Sequence, residues 1–251
     1  MDNRDILNRE FSAQNFAEGH PYAVILDRYR EIAANYARME NAVAVLSDLR
    51  TKASYIYYGR FAQLLGIDSK EPDRRLPTIW EDEIFRLVHP DDLADKHLQE
   101  LCFFNYVRQQ PKRKRSDYYL ISTLRMRSGP NTYIPVLHRM YYVLAPKSDA
   151  IWLALCLYSP LAVDIPAKCL IIDSTNGHST ELHNQDSSGL LSAREKQVLS
   201  FISRGLTSKE IAESLCISVN TVSRHRQEIL GKLQVKNSIE ACRIAKDLRL
   251  I

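Results

Sequence analysis

Near the C-terminus, the stretch "SVNTVSRHRQEILGKL" (Ser218 to Leu233) sets Asn220, Thr221, Ser223, Arg224 and Gln227 among a thin set of aliphatics. These side chains suit recognition by hydrogen bonding rather than bond-breaking. Arg offers a forked set of donors, and Gln carries a donor and an acceptor side by side. Such a pair fits bidentate contacts with guanine and adenine edges. At about 100° per residue, Val222, Ile229 and Leu233 fall within one narrow sector of a helix, while Asn220, Ser223, Arg224 and Gln227 fall on the far side. Lys209, near a second helix start, is placed to meet a phosphate. The polar face is therefore expected to face DNA.

The elements that must hold these residues are written as helix starts. Ser192-x-x-Glu195, Thr207-x-x-Glu210 and Asn237-x-x-Glu240 each set a capping oxygen three residues before a Glu, so free N–H groups are satisfied from both sides. Ser218 caps a further helix, and Gly205 ends the first. Four short helices in about sixty residues form a small bundle. Its expected core is Val198, Leu199, Ile202, Ile211, Ala212, Leu215, Ile217, Val222, Ile229 and Leu233. Thr207 to Leu215, a turn at Cys216–Ile217, then Val219 to Leu233 read as a helix-turn-helix whose second helix enters the major groove.

The same residues resemble a known family, the LuxR/NarL-type helix-turn-helix. The resemblance runs from Leu191 to Ala241, through "L-S-x-R-E", "G-L-T-S-K-E-I-A", "I-S-x-N-T-V-x-x-H" and "K-L-x-V-x-N-x-x-E-A". It implies base-facing roles for Ser223, Arg224 and Gln227, backbone roles for Lys209 and Thr221, and dimer contact by the helix after Asn237. Ser223 and Gln227 stand where the family often has Lys, and Ser238 where Arg is common. Gly231 lies late in the recognition helix, where it costs about 1 kcal/mol against Ala. His225 follows the family pattern and is read as a packing residue.

Charge is distributed accordingly. The chain has 251 residues and a net charge of +4. From Leu190 to Ile251 eleven Lys/Arg face six Asp/Glu, a net of +5, whereas residues 161–189 carry one Lys against four acids, a net of −3. A basic unit behind an acidic connector fits nucleic-acid binding, with a solvated basic surface as the alternative. Five scattered cysteines (102, 156, 169, 216, 242) form no C-x-x-C pair. That argues against zinc and disulfides and for a reducing cytoplasm. No apolar run is long enough for a membrane span, and "MDNRDILNRE" lacks a signal-peptide apolar region.

Residues 22–50 contain neither Gly nor Pro and are expected to form one long helix. Its bulky stripe, Ile25, Tyr29, Ile32, Tyr36, Met39, Val43 and Leu46, has heptad spacing. Such a helix either dimerises the protein or lies on its own domain. From Ala53 the period shortens into a strand, a turn at Gly59 and a brief helix. In "HPDD" (His89 to Asp92), Asp91 or Asp92 is expected to cap a helix running towards Gln110. Tyr118 to Met126, Tyr133 to Leu144 and Ile151 to Tyr158 read as strands of an antiparallel sheet.

Residues 51–160 resemble a PAS domain in this element order and in "HPDD". The resemblance implies a sensory or dimerising module, with Tyr57, Leu124 and Trp152 on an inner face that is either a ligand pocket or plain core. His89 is read as structural, the flavin-photosensor "NCR" motif is absent, and no cofactor is expected. The basic run "KRKR" (Lys112 to Arg115) reads as a solvated loop or a nucleic-acid patch, the former preferred. Within residues 161–189, Asn176-Gly177 signals a hairpin, and "HNQDSSG" is the expected hinge.

The fold class is thus multidomain. A helical segment (1–50) and an α+β PAS-like domain (51–160) precede an acidic linker (161–189) and an all-α helix-turn-helix domain (190–251). The reading is a one-component transcription regulator. Its partners are double-stranded DNA, a second copy of the chain, RNA polymerase and an unknown small molecule for the PAS-like part. Sigma-factor region four and a non-DNA-binding signalling adaptor are the alternatives. There is no P-loop, kinase glycine loop, metal-ligand cluster or nucleophile elbow, so neither catalysis nor metal binding is expected. The N-terminal half lacks the acidic pair and the later Lys of a receiver domain.

Overall fold

The computed structural model describes residues 3–67, 73–162, 165–182, 191–233, 235, 237–247 and 250–251. The expected hinge "HNQDSSG", residues 183–189, lies outside them. Two helices come first, α1 (Asn3–Ser12) and α2 (Tyr22–Met39). Strands β1 (Val43–Asp48) and β2 (Ala53–Tyr58) follow, then the short α3 (Phe61–Leu64), β3 (Asp73–Leu76) and α4 (Asp82–Phe85). After α5 (Pro90–Gln109) come β4 (Tyr118–Gly129), β5 (Thr132–Leu144), β6 (Ile151–Pro160), β7 (Cys169–Asp173) and β8 (Ser179–Glu181). The C-terminal helices are α6 (Ala193–Ser203), α7 (Ser208–Leu215), α8 (Val219–Leu233) and α9 (Ser238–Asp247).

The strands form one antiparallel sheet in the order β3-β2-β1-β6-β5-β4-β7-β8. Both strands flanking Asn176-Gly177 belong to it, with Gly177 at φ +74°. β1 lies between β2 and β6, and all six of its residues are buried. Because side chains alternate along a strand, Ala44 and Leu46 pack beneath α2, whereas Val43 and Val45 join the opposite core.

Here the expected 22–50 helix is corrected. It ends at Met39, and Val43 and Leu46 point to opposite faces of a strand instead of extending a stripe. Asn41 breaks it by taking a left-handed φ of 52°, a conformation that Asn tolerates better than most residues. Glu40 N–H still reaches Tyr36 O and Ala42 N–H turns back to Ala37 O. The chain then runs against β2 so closely that a Cβ on Gly59 would collide with the backbone of Ala37, Asn41 and Ala42. Only glycine fits there.

α2 lies on its own sheet, buried through Tyr22, Ala33 and Ala37 and packed against Trp152 and Leu157. Tyr57 and Trp152 belong to this α2 face, and Leu124 belongs to the core on the other side. The three therefore cannot line one pocket, as the period-2 alternation of the sheet dictates. Trp152 Nε1–H donates to Asp48 Oδ1 at 2.9 Å, and Tyr22 meets its ring edge-on at 4.8 Å.

On the opposite face α1 packs along α5. Phe11 meets Phe104 edge-on at 5.0 Å, and Trp80 Nε1–H donates to Asn8 Oδ1 at 3.0 Å. The cap of α5 is a second correction. His89 Nδ1 accepts from Asp91 N–H at 3.3 Å, so the histidine caps the helix, with Pro90 in its first turn. Asp92 is instead committed to β4, accepting from the Arg125 backbone N–H at 2.8 Å and from both arms of its guanidinium at 2.9 Å. Burial pushes the Asp92 carboxyl up, but the Arg125 bonds prevail and hold it below the usual range.

In the "KRKR" run Lys112, Arg113 and Lys114 are exposed, as the solvated-loop reading expects. Lys112–Asp117 forms a 3-10 turn in which Arg115 donates to the carbonyls of Arg108, Gln110 and Asp149, and Lys112 pairs with Asp149 at 2.7 Å. Arg115 is half-buried and fastens the end of α5 to the β5–β6 loop. Among the described residues, no helix is long and apolar enough to cross a membrane.

Candidate nucleic-acid interface

Each helix start of the C-terminal unit is closed locally. Ser192 and Glu195 form a reciprocal capping box on α6, as do Thr207 and Glu210 on α7. Ser218 Oγ accepts from Thr221 N–H at 3.1 Å, and Asn237 Oδ1 accepts from Glu240 N–H at 2.9 Å. The turn between α7 and α8 is made by Cys216 at φ 53°. Arg194 closes the end of α7 by donating to Leu215 O at 2.7 Å.

Val198, Leu199, Ile211, Ala212, Val222, Ile229 and Leu233 are buried, while Ile202, Leu215 and Ile217 are partly buried against them. The opposite face of α8 is open. Asn220, Ser223, Arg224 and Gln227 are exposed, as is Lys209 on α7. Thr221 is only half exposed, and its hydroxyl lies 2.8 Å from Ser218 Oγ. Arg224 Nε stands 3.6 Å from Glu228 Oε1 one turn on, with the side chain 68% exposed. A pairing so solvated is weak, and Arg224 is free to swing outward.

Two residues beneath this face carry positioning roles that the sequence reading left out. Arg226 donates to Ser208 Oγ on α7 at 3.1 Å and to Ser238 Oγ on α9 at 3.0 Å, fixing three helices through one planar group. Lys232 Nζ reaches the buried Glu195 carboxylate at 2.8 Å, tying α8 to α6. Burial raises Glu195, but the Lys232 bond and the Ser192 N–H outweigh it and hold the carboxyl below its ordinary range. His225 is half-buried, with Nδ1 3.3 Å from Glu228 Oε2.

A second cluster lies far from this face in sequence. Glu100 on α5, His138 on β5 and Cys156 on β6 are all buried, with donor atoms within 4.8 Å of one another. Separations of 38 and 18 residues match no motif, and only strand register brings the three together.

Comparison with known proteins finds curated relatives that match part of the chain. The oxygen regulatory protein NreC of Staphylococcus haemolyticus is 36% identical over 74 residues, which is 30% of this chain and 34% of that protein. The CsgBAC operon transcriptional regulatory protein of Escherichia coli is 42% identical over 65 residues, 26% of this chain and 30% of that protein. The chain spans about a third of the length of these curated relatives. A Vibrio cholera VqmA–ligand–DNA complex aligns over 87% of this chain and 86% of that one at 16% identity, with a TM-score of 0.32. A superposition that loose carries no argument. Residues 189–245, the segment that holds the exposed face of α8, match the family model described as bacterial regulatory proteins, luxR family.

Proposed function

We propose that the chain is a DNA-binding transcription regulator whose α8 enters the major groove. The observation that carries this is the division of α8. Val222, Ile229 and Leu233 are buried, while Asn220, Ser223, Arg224 and Gln227 stand exposed together on the other side. Arg224 and Gln227 pair with base edges bidentately, Ser223 supplements them, and Asn220 flanks them at the start of the helix. Lys209 and Thr221 hold the phosphate backbone and fix the register of α8 in the groove. The luxR-family match of the same segment supports this reading.

The N-terminal unit is the input. Strands β1 and β2, the short helices α3 and α4 with β3 between them, the "HPDD" helix and then β4 to β6 support a PAS-like module. A second copy of the chain supplies the other half-site contact, and RNA polymerase is the expected downstream partner. The test is footprinting with the purified full chain, followed by titration of the selected site over a range of salt. Binding whose log affinity falls linearly with log salt, with protected sites sharing a base pattern, is the expected result. No binding beyond that of an unrelated basic protein would point to the signalling-adaptor reading.

A further inference from the structure

The sheet face beneath α5 holds more ionisable chemistry than a packed core requires. Along β5 the buried alternate residues are Val136, His138, Met140 and Tyr142. Opposite them β6 sets Tyr158 beside His138 and Cys156 beside Met140. From α5, Lys96 places Nζ 2.5 Å from Glu100 Oε1, and the Tyr158 hydroxyl lies 3.1 Å from Glu81 Oε1. All of these charged groups are at most 5% exposed. Two carboxylates therefore share this interior with a single lysine.

A buried Lys–Glu pair accounts for Lys96 and one oxygen of Glu100, and for nothing else. His138 Nδ1 is 3.1 Å from Ser122 Oγ, while its Nε2 is buried without a hydrogen-bond partner. Buried polar atoms left so are rare and call for an explanation. Cys156 Sγ completes a trio with Glu100 and His138 whose donor atoms all lie within 4.8 Å of one another. A cavity of about 30 Å³ is bordered by Glu100 and Cys156 of the trio, and by Lys96. It has room for a water or an ion but for no organic metabolite.

We propose that Glu100, His138 and Cys156 bind one zinc-type divalent transition-metal ion inside the N-terminal domain. Sulfur, imidazole nitrogen and carboxylate oxygen are the donors that zinc takes, and bond lengths of about 2.0–2.3 Å require donors roughly 3.3–3.8 Å apart. Binding draws the three donors, which lie within 4.8 Å of one another, to that span. Ser122 supplies the outer contact. With Nδ1–H donated to its hydroxyl, the ring presents a lone pair at Nε2 and is held in orientation. Cys156 binds as thiolate and its proton passes to solvent. Water from the adjoining cavity takes the fourth position.

Tag-free, reduced full-length protein titrated with Co²⁺, then with Zn²⁺, tests the site without reference to DNA. One equivalent of Co²⁺, a thiolate-to-cobalt charge-transfer band and displacement of that band by Zn²⁺ are expected. Cys156→Ser removes the band. His138→Gln weakens Co²⁺ binding by at least about tenfold, a loss that even outer-shell changes produce. Cys169→Ser, at a buried cysteine outside the trio, leaves both unchanged. Circular dichroism establishes that each variant is folded. A wild-type protein that takes up no Co²⁺, or takes it up without the charge-transfer band, overturns the proposal whatever the variants do. So do folded Cys156→Ser and His138→Gln proteins that bind as the wild type does.

Discussion

Arg226 and Ser238 join α8 to α9 by a 3.0 Å hydrogen bond, and the same guanidinium reaches Ser208 on α7 at 3.1 Å. The group lies beneath the exposed face of α8 and sets the angle at which Arg224 and Gln227 are presented. Bonds to a charged donor contribute about 1.5–3 kcal/mol. Arg226→Ala is therefore expected to lower stability by about that amount and to weaken all DNA sequences alike. Denaturant midpoints and a binding-site selection check this. A shift in base preference would mean that Arg226 reads bases itself.

Arg224 and Lys209 are expected to fail differently. Arg224→Ala costs about 1–3 kcal/mol of binding and relaxes preference at one base position. Lys209→Ala weakens every sequence and lowers the slope of log affinity against log salt by about one. Titrations of a selected site and of a shuffled one, each at several salt concentrations, separate the two. Unchanged affinity and preference in Arg224→Ala would overturn the groove assignment.

Gly231 sits in α8 with open space where a Cβ would go, and its φ is not positive. The residue therefore contributes backbone freedom and no close approach. Gly231→Ala is expected to stabilise the C-terminal unit by about 1 kcal/mol, read as a higher denaturant midpoint with unchanged slope. A loss of stability would show that α8 needs to bend there.

The capping residues of α6 to α9 were legible because donor and acceptor lie three residues apart, and α8 divides as its periodicity predicts. The 22–50 segment carries a helical pattern past Met39 for an equally physical reason. β1 is buried on both faces, so "VAVLSD" lacks the alternation that marks a half-exposed strand. Val43 and Leu46 then continued a helical spacing by accident. Arg226 and the Glu100–His138–Cys156 trio lay beyond reading because their partners are supplied by other elements. No local spacing encodes a strand register or a helix crossing.

Glu195 gives the C-terminal unit a defined response to acid. Its carboxyl is held below the ordinary range in the folded protein. It therefore stabilises the fold above the unfolded value of about 4.3 and loses that contribution as pH falls through the lowered folded value. Glu195→Gln is expected to cost about 1.5 kcal/mol at pH 7 and progressively less in acid. Equal gaps between wild type and variant at pH 7 and pH 3 would mean that the loss is packing alone.

The outward side of α2 is the expected contact between two copies of the chain. Val24, Ile32, Tyr36 and Met39 are 57%, 42%, 37% and 84% exposed, and at about 100° per residue they fall within roughly a third of the helix circumference. Contiguous apolar exposure of this kind marks an interaction surface. Neither Ile32 nor Met39 belongs to the core through which α2 meets the sheet, which is built from Tyr22, Ala33 and Ala37 with Ile25, Leu26 and Tyr29 packed against it. Ile32→Glu with Met39→Glu should therefore leave folding stability within about 1 kcal/mol, as exposed substitutions do. The same pair is expected to turn a dimer into monomers in sedimentation. Two joined helix-turn-helix units gain about 10²–10⁴ in affinity over one, so the variant should also bind a two-half-site operator no better than a single half-site. If the double variant remains a dimer with full affinity, the contact lies elsewhere. Ile239 on α9, 85% exposed, would then be the residue to charge next.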